Sequence, residues 1–158
     1  MVFTKIDPKD VYTILGLLDT IQYLRYKFKE EILQTSSNNR LLQTMNILKK
    51  SEFTAALKAG LNFAHFGHIQ IGIQPLHRKG QDVVVFSCVF DCRWKTFHKA
   101  LIGGYQGTLV YVPISWSCVP NFSISLDDPN AINALMLGIQ THGYDDFEDN
   151  SNNVAIQW

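Results

Sequence analysis

The chain has 158 residues, of which 46% are hydrophobic and 18% charged, the composition of a globular domain. It has no run of about eighteen apolar residues and no signal-type cleavage site, so we expect neither a membrane span nor a secretory signal peptide. The three cysteines are an odd and sparse set, which suits a reducing compartment better than a disulfide framework.

The zero net charge conceals a polarity along the chain. All 14 Lys and Arg lie in residues 1–99 beside eight acids, a balance of +6. Residues 100–158 carry six acids and no Lys or Arg, a balance of −6. This polarity predicts an electropositive surface that could meet phosphate, although uneven scatter of charge explains it equally well at this point.

Residues 1–60 predict helices. Asp7 and Pro8 suit the start of a first helix, and apolar residues recur at helical spacing as far as Ile32. A second helix is predicted over about residues 40–49 and a third from Ser51, as N-cap, to Gly60. We expect this segment to pack on the rest of the domain, with placement of the first helix on a membrane surface as the alternative.

From residue 61 the pattern is typical of strands. Residues 69–74 alternate between apolar and polar or small side chains, and residues 83–90 are apolar on both faces. The remaining predicted elements, in chain order, are a short amphipathic stretch over 94–101, a glycine-broken loop from 103, strands over 108–112 and 122–126, a brief helix over 127–137, a solvated loop over 145–153 and a strand over 154–158.

Short strands separated by turns indicate a mainly β protein, an antiparallel sandwich or barrel preceded by N-terminal α-helices. We expect one structural domain, with residues 1–60 as the helical segment and 61–158 as the β-core. Because residues 154–158 resemble a strand cut short, we expect a core truncated at its C-terminus.

Five blocks between residues 66 and 143 stand out by their order and spacing. They are His68-Ile69-Gln70-Ile71-Gly72-Ile73-Gln74-Pro75-Leu76-His77-Arg78-Lys79-Gly80, Val85-Phe86-Ser87-Cys88-Val89-Phe90-Asp91-Cys92-Arg93, Ala100-Leu101-Ile102-Gly103-Gly104, Pro120-Asn121-Phe122-Ser123-Ile124-Ser125-Leu126-Asp127-Asp128-Pro129-Asn130 and Gln140-Thr141-His142-Gly143. Together they resemble the core of the thirty-kilodalton superfamily of plant viral movement proteins. The family hallmark is Leu-any-Asp on a buried strand with a Gly some tens of residues later. Here the triplet is Val89-Phe90-Asp91, in which Val replaces Leu and keeps the apolar character, and Gly143 follows it.

The resemblance implies a jelly-roll-like core, related to viral capsid folds, that binds single-stranded RNA or DNA with little sequence preference. It implies self-association, and partners among host plasmodesmal, cell-wall and membrane-associated proteins and viral coat protein. It also implies residence in the host cytoplasm and plasmodesmata. A capsid-like jelly roll that acts by self-assembly is the alternative function.

Asp91 ends an apolar strand, where an isolated carboxylate would be costly. Arg93 is two residues further on, so it would share a face with Asp91 and could pair with it. We therefore interpret Asp91 as a structural residue, with a catalytic acid as the less favoured alternative. Gly143 could supply a left-handed or bulged backbone position.

The predicted nucleic-acid-binding residues are a basic group with interleaved aromatic rings. Lys and Arg neutralise phosphates, and Trp94 and Phe97 offer rings for base stacking. The alternative is an ordinary solvated surface with both rings buried in the core. The group comprises Arg78, Lys79, Arg93, Lys95 and Lys99; a weaker second group comprises Lys27, Lys29, Arg40, Lys49 and Lys50.

Enzyme and metal chemistry are not expected. His65, His68, Cys88 and Cys92 do not have the spacing of a compact zinc module. The loop at Gly103 lacks the Lys-Ser/Thr of a phosphate-binding loop, and no nucleophile signature is present. We therefore predict no catalytic residue, no metal and no cofactor.

Overall fold

The computed structural model describes residues 30–35, 42–110, 112–144 and 151–158. Within these ranges two short α-helices, α1 (Lys50–Lys58) and α2 (Phe97–Ala100), and one 3-10 turn (Ala131–Asn133) accompany ten strands. The strands are β1 Glu30–Thr35, β2 Gln43–Asn46, β3 Phe63–Phe66, β4 Ile69–Pro75, β5 Val84–Asp91, β6 Leu101–Thr108, β7 Ile114–Cys118, β8 Phe122–Ser125, β9 Leu135–His142 and β10 Ser151–Gln157.

Eight of the strands form two four-stranded antiparallel sheets, in the orders β1-β10-β4-β7 and β2-β9-β5-β6, while β3 and β8 pair as a separate ribbon. Without that ribbon, the first strand pairs with the last, the second with the last but one, and so on inward to the β5–β6 hairpin. The chain is thus a long hairpin rolled into two sheets, which is a jelly roll. The predicted mainly β, jelly-roll-like fold is confirmed.

The core lies between the two sheets. Fully buried aliphatic side chains alternate along the central strands, as expected when one face of each sheet is covered. They include Ile71 and Ile73 on β4, Val85 and Val89 on β5, Leu137 and Ile139 on β9, and Val154 and Ile156 on β10.

The prediction of a second helix over residues 40–49 is wrong, because residues 43–46 form strand β2, paired with β9. Met45 is buried while Thr44 and Asn46 are exposed, so these residues alternate as a strand does. The last residues predicted for the first helix, 30–32, belong instead to strand β1. The part of that predicted helix before residue 30 lies outside the described residues. The third predicted helix is α1, but its N-cap is Lys49 and not the predicted Ser51. The Lys49 backbone N–H donates to the Glu52 carboxylate at 3.2 Å.

The predicted division of the chain at residue 60 also differs from the structure. Strands β1 and β2 each belong to one of the two sheets, so residues 30–35 and 43–46 are part of the sandwich and not of a helical segment packed on it. The strand predicted over 154–158 belongs to β10, which lies between β1 and β4. Of the loop predicted over 145–153, residues 151–153 lie in β10 and 145–150 lie outside the described residues.

The glycine-rich stretch after residue 101 is a strand, not the predicted loop. It needs glycine because a Cβ at Gly103 would lie 2.8 Å from the Cβ of Cys118 on β7. Of the strand predicted over 108–112, only Thr108 is in a strand among the described residues, since β6 ends there and β7 begins at Ile114. The helix predicted over 127–137 shortens to the 3-10 turn, because residues from Leu135 onward pair with β2 and β5.

No helix in the described ranges is both long and apolar enough to cross a bilayer.

Candidate nucleic-acid interface

The predicted basic group is divided between the two ends of the sandwich. Strand β5 has eight residues, so the turn before it and the turn after it are roughly 25 Å apart. Arg78 and Lys79 precede this strand, and Arg93, Lys95 and Lys99 follow it. We name the region before β5 the Gly143 end, because Gly143 follows the last paired residue of β9 there. We name the region after β5 the Asp91 end, because Asp91 is the last residue of β5.

At the Asp91 end, Asp91 and Arg93 form a bidentate ion pair. Arg93 Nε lies 2.9 Å from Asp91 Oδ1 and Arg93 Nη2 lies 2.7 Å from Asp91 Oδ2. The Arg93 backbone N–H also donates to Asp91 Oδ1, at 3.0 Å. The Asp91 side chain is 8% exposed and that of Arg93 47% exposed, so the carboxylate is buried beneath a guanidinium that reaches solvent.

The electrostatics of the pair favour the ionised form of both groups. Burial opposes ionisation of Asp91, but the hydrogen bonds and charge of Arg93 outweigh it, and the pKa of the carboxyl group is lowered. Hydrogen bonding to Asp91 raises the pKa of Arg93 in turn, against the effect of burial. The pairing expected from the two-residue spacing is therefore present.

The turn between β5 and β6, residues 92–100, presents aromatic and basic side chains to solvent. Trp94 is 54% exposed and Phe97 is 52% exposed, with the Phe97 ring centroid 6.4 Å from that of Phe90. Lys95 and Lys99 are also exposed, and the buried Ala100 leads into β6. The alternative in which both rings belong to the core is wrong.

The connection between β2 and α1 also lies at the Asp91 end. Asn46, the last residue of β2, pairs with Met136, next to the pair of Asp91 and Leu135. The exposed Lys49 and Lys50 begin α1 there, so these two members of the second predicted group join Lys95 and Lys99. Lys27, Lys29 and Arg40 lie outside the described residues. Acidic side chains are interspersed, and Asp128 interacts electrostatically with Arg93.

Phe122 is a contributor that the sequence did not identify. Its ring lies under the Arg93 guanidinium, 5.5 Å from Cζ to the centroid, and stands 5.6 Å from the ring of Phe66. The contact between Arg93 and Phe122 joins β8 to a turn nearly thirty residues earlier in the chain. No local sequence pattern predicts a contact at that separation. The turn therefore rests on the β3–β8 ribbon through Arg93.

At the Gly143 end, Arg78 and Lys79 are exposed on the turn between β4 and β5. Gly80 has a φ of +92°, and its N–H donates to the Val110 carbonyl at 2.8 Å. His77 packs edge-on against Tyr144, with the ring centroids 5.4 Å apart. In the sequence, Tyr144 is followed at once by the acidic residues Asp145, Asp146, Glu148 and Asp149.

Gly143 occupies a position that only glycine can take. Its φ of +103° is the left-handed backbone considered for it from the sequence, and an added Cβ would overlap the Asp82 carbonyl oxygen. Gly143 follows the last residue of β9 at the point where β5 begins. Its role in this structure is to let its own backbone approach the backbone of Asp82 and Val83.

The four residues weighed as zinc ligands do not form a site. Cys88 is buried, and burial raises the pKa of its thiol to about 11, while Cys92 and His65 are exposed on separate strands or turns. Over the described stretches of chain, no three His, Cys, Asp or Glu side chains come together as metal ligands.

Comparison with known proteins gives three kinds of match. The family described as Viral movement protein (MP) matches residues 22–158. The "Putative movement protein" of Apple chlorotic leaf spot virus (isolate apple) is 31% identical over 100 residues, covering 62% of this chain and 22% of that protein. The "Genome polyprotein" of Petunia vein clearing virus (isolate Shepherd) is 34% identical over 79 residues, covering 50% of this chain and 4% of the polyprotein.

Among solved structures, a chain of Turnip yellow mosaic virus has the same fold, with a TM-score of 0.52 at 11% identity. The match covers 83% of this chain and 87% of the other. The chain thus spans about a fifth of the length of the virus movement protein that it matches, and most of the solved jelly-roll chain.

Proposed function

Because this chain belongs to the viral movement protein family, we propose that it binds single-stranded nucleic acid without sequence preference and helps to carry a viral genome or virion between plant cells. Binding takes place at the Asp91 end, and transport runs through plasmodesmata. The protein acts as a carrier and catalyses no reaction. Its further partners are other copies of itself, host plasmodesmal, cell-wall or membrane-associated proteins, and viral coat protein.

The observation that carries the proposal is the exposure of Trp94 and Phe97 on the same turn as Lys95 and Lys99. Removing an indole and a phenyl ring from water is favourable, so a fold leaves both outside its core at a cost that a bound ligand can recover. Every base has a π-face, so stacking on these rings requires no particular sequence.

The cations beside the rings supply the second half of the interaction. Four exposed lysines lie in the connections that follow β2 and β5, at the same end of one sheet. They are Lys49, Lys50, Lys95 and Lys99. A single strand needs phosphate neutralisation along its backbone as well as stacking of its bases, and the release of counterions makes such binding dependent on salt. The Asp91 end offers both.

The test is binding of a fluorescent, unstructured single-stranded oligonucleotide by Trp94→Ala and Trp94→Phe. Trp94→Ala should lose about 1–3 kcal/mol, the usual worth of one stacked base, and Trp94→Phe should keep most of the affinity. Leu76→Ala is the control, because Leu76 is a comparably exposed apolar residue at the Gly143 end. Equal affinity of all four proteins would refute the proposed interface.

Transport is tested separately with a fluorescent fusion in leaf epidermis. Punctate label at cell walls and spread to neighbouring cells is expected, and label confined to single cells throughout would contradict it. The fusion carrying Trp94→Ala should no longer move a co-expressed single-stranded cargo, because the stacking proposed for Trp94 is lost.

A capsid-like function by self-assembly is the second candidate, and strand β6 favours it. In the described part of the fold β6 pairs only with β5, and it contains neither a charged residue nor proline. Natural edge strands are commonly guarded by Lys or Pro against pairing with another chain. Gln106→Lys would add such a guard, and a shift of assemblies towards monomer in sedimentation would support this candidate.

A further inference from the structure

We infer that Asp91 and Arg93 are positioning residues of the interface: the ion pair holds the 92–100 turn in the shape that presents Trp94, Lys95 and Lys99, and Arg93 itself is not a phosphate ligand. The inference rests on the proposed binding of single strands at this turn. It reassigns Arg93 from the predicted contact group and extends the role of Asp91 beyond the core.

The first reason is that the guanidinium is already engaged. Arg93 donates from Nε and Nη2 to both oxygens of a buried carboxylate, at 2.7–3.2 Å, and lies across the Phe122 ring. Its charge is offset by Asp91 and further by Asp128. A phosphate would have to compete with an aligned bidentate partner that is shielded from water.

The second reason is that each residue at the start of the turn is attached to a different part of the fold. Cys92 N–H donates to the Ala134 carbonyl at 2.9 Å, next to β9, and Trp94 N–H donates to the Asp91 carbonyl at 3.3 Å. Arg93 adds the contact with β8 through Phe122. After Trp94 the chain runs exposed until the buried Ala100, so the direction of the exposed residues is set by these attachments.

Arg93→Lys distinguishes the two roles. Lysine keeps the positive charge but lacks the planar fork that grips both carboxylate oxygens, so a phosphate contact would tolerate it and a bidentate brace would not. We expect affinity for an unstructured oligonucleotide to fall roughly tenfold, and the slope of log affinity against log salt not to become steeper, since Lys95 and Lys99 are less well presented and no phosphate contact is gained. Arg78→Lys, the same change at the Gly143 end, should leave both unchanged.

Asp91→Asn provides the opposite test, because it releases Arg93 from its partner. The positioning role predicts weaker binding with a salt slope no steeper than that of the wild type. Were Arg93 a phosphate ligand held back by Asp91, the variant would instead bind more tightly and with a steeper slope. Either that result or wild-type affinity of Arg93→Lys would overturn the inference.

A readout without any ligand separates this inference from the proposed function. Trypsin should cut the native Arg93→Lys protein after Lys95 and Lys99 several-fold faster than the wild type, with the cooperative melt retained. If the wild-type protein binds no single strand, the proposed function fails, whereas faster cleavage of the turn still supports the brace. Unchanged cleavage in both Arg93→Lys and Asp91→Asn would refute the brace whatever the binding result.

Discussion

Asp91 and Gly143 stand at opposite ends of one antiparallel ladder. Asp91 is the last residue of β5 and lies opposite Leu135 at the start of β9, while Gly143 follows His142, the partner of Val84 at the other end. Asp91 forms an ion pair with Arg93 at the end of β5. Gly143 lies against the Asp82 carbonyl oxygen, just before β5 begins. The two positions on which the sequence resemblance rests therefore delimit a single pair of strands in the second sheet.

Gly143→Ala should destabilise the fold strongly. The residue has a positive φ, and the added Cβ would overlap the Asp82 backbone, which cannot give way as a side chain can. We expect a loss of more than about 2 kcal/mol in the free energy of unfolding, measured by urea denaturation. Gly80→Ala is the control, since Gly80 has a similar φ of +92° but nothing within 4 Å of an added Cβ, and should lose only about 1 kcal/mol. Equal losses in the two variants would show that crowding against Asp82 is not what requires glycine.

The contribution of Asp91 to stability should depend on pH. Arg93 lowers the pKa of the carboxyl group from its ordinary value of 3.8 against the effect of burial. A carboxyl group with a lowered pKa stabilises the folded state above its unfolded pKa, and that contribution is lost as the pH falls through the folded pKa. Wild type should exceed Asp91→Asn by on the order of 2 kcal/mol near neutral pH, and the difference should shrink below about pH 4. A difference that stays constant between about pH 7 and pH 3 would contradict the proposed source of the pKa shift.

The interactions close in sequence were predictable, and those that depend on pairing across the fold were not. The two-residue spacing of Asp91 and Arg93 predicted their contact, although the pair forms across the turn that begins at Cys92 and not along one face of a strand. Strand β2 was mistaken for a helix because four residues carry little periodicity, and only pairing with β9 decides their conformation. The glycines of β6 resemble a loop until Cys118 of β7 is placed against Gly103.

The same limit explains the divided basic group. Arg78 and Arg93 are fifteen positions apart in a short stretch of sequence, but an entire strand lies between them and sends them to opposite ends of the sandwich. Conversely, Lys49 and Lys50 are distant in sequence from Lys95 and lie at the same end of one sheet, because β2 and β5 both flank β9. Separation along the sequence is therefore a poor guide to separation in space once a whole strand lies between two residues.

Cys92 should be the one cysteine that reacts readily in the native protein. Cys92 is exposed, whereas burial raises the pKa of the thiols of Cys88 and Cys118 to about 11. Burial and the neighbouring Asp91 also raise the pKa of Cys92, so labelling should be slower than that of a free thiol, although accessible. With a thiol-specific chromogenic disulfide at about pH 8 we expect a single fast phase that disappears in Cys92→Ser. The phase should slow when an unstructured oligonucleotide is added, because Cys92 begins the turn on which binding is proposed. Three equally fast cysteines would contradict the burial of Cys88 and the partial burial of Cys118.

Salt dependence should separate the two ends of the molecule. Lys95→Gln/Lys99→Gln removes two exposed cations from the proposed interface without touching a buried group or the Asp91–Arg93 pair. For a single strand each phosphate contact contributes roughly 0.7 to the slope of log affinity against log salt, so the double variant should bind more weakly with a slope lower by up to about 1.4. Arg78→Gln/Lys79→Gln carries the same change in net charge at the Gly143 end, roughly 25 Å away, and should lower the slope much less. Fluorescence anisotropy with one homopolymeric oligonucleotide at four salt concentrations is sufficient to compare them. If the Arg78/Lys79 variant has the larger effect, the binding surface lies at the Gly143 end and the assignment of the interface to the 92–100 turn is wrong.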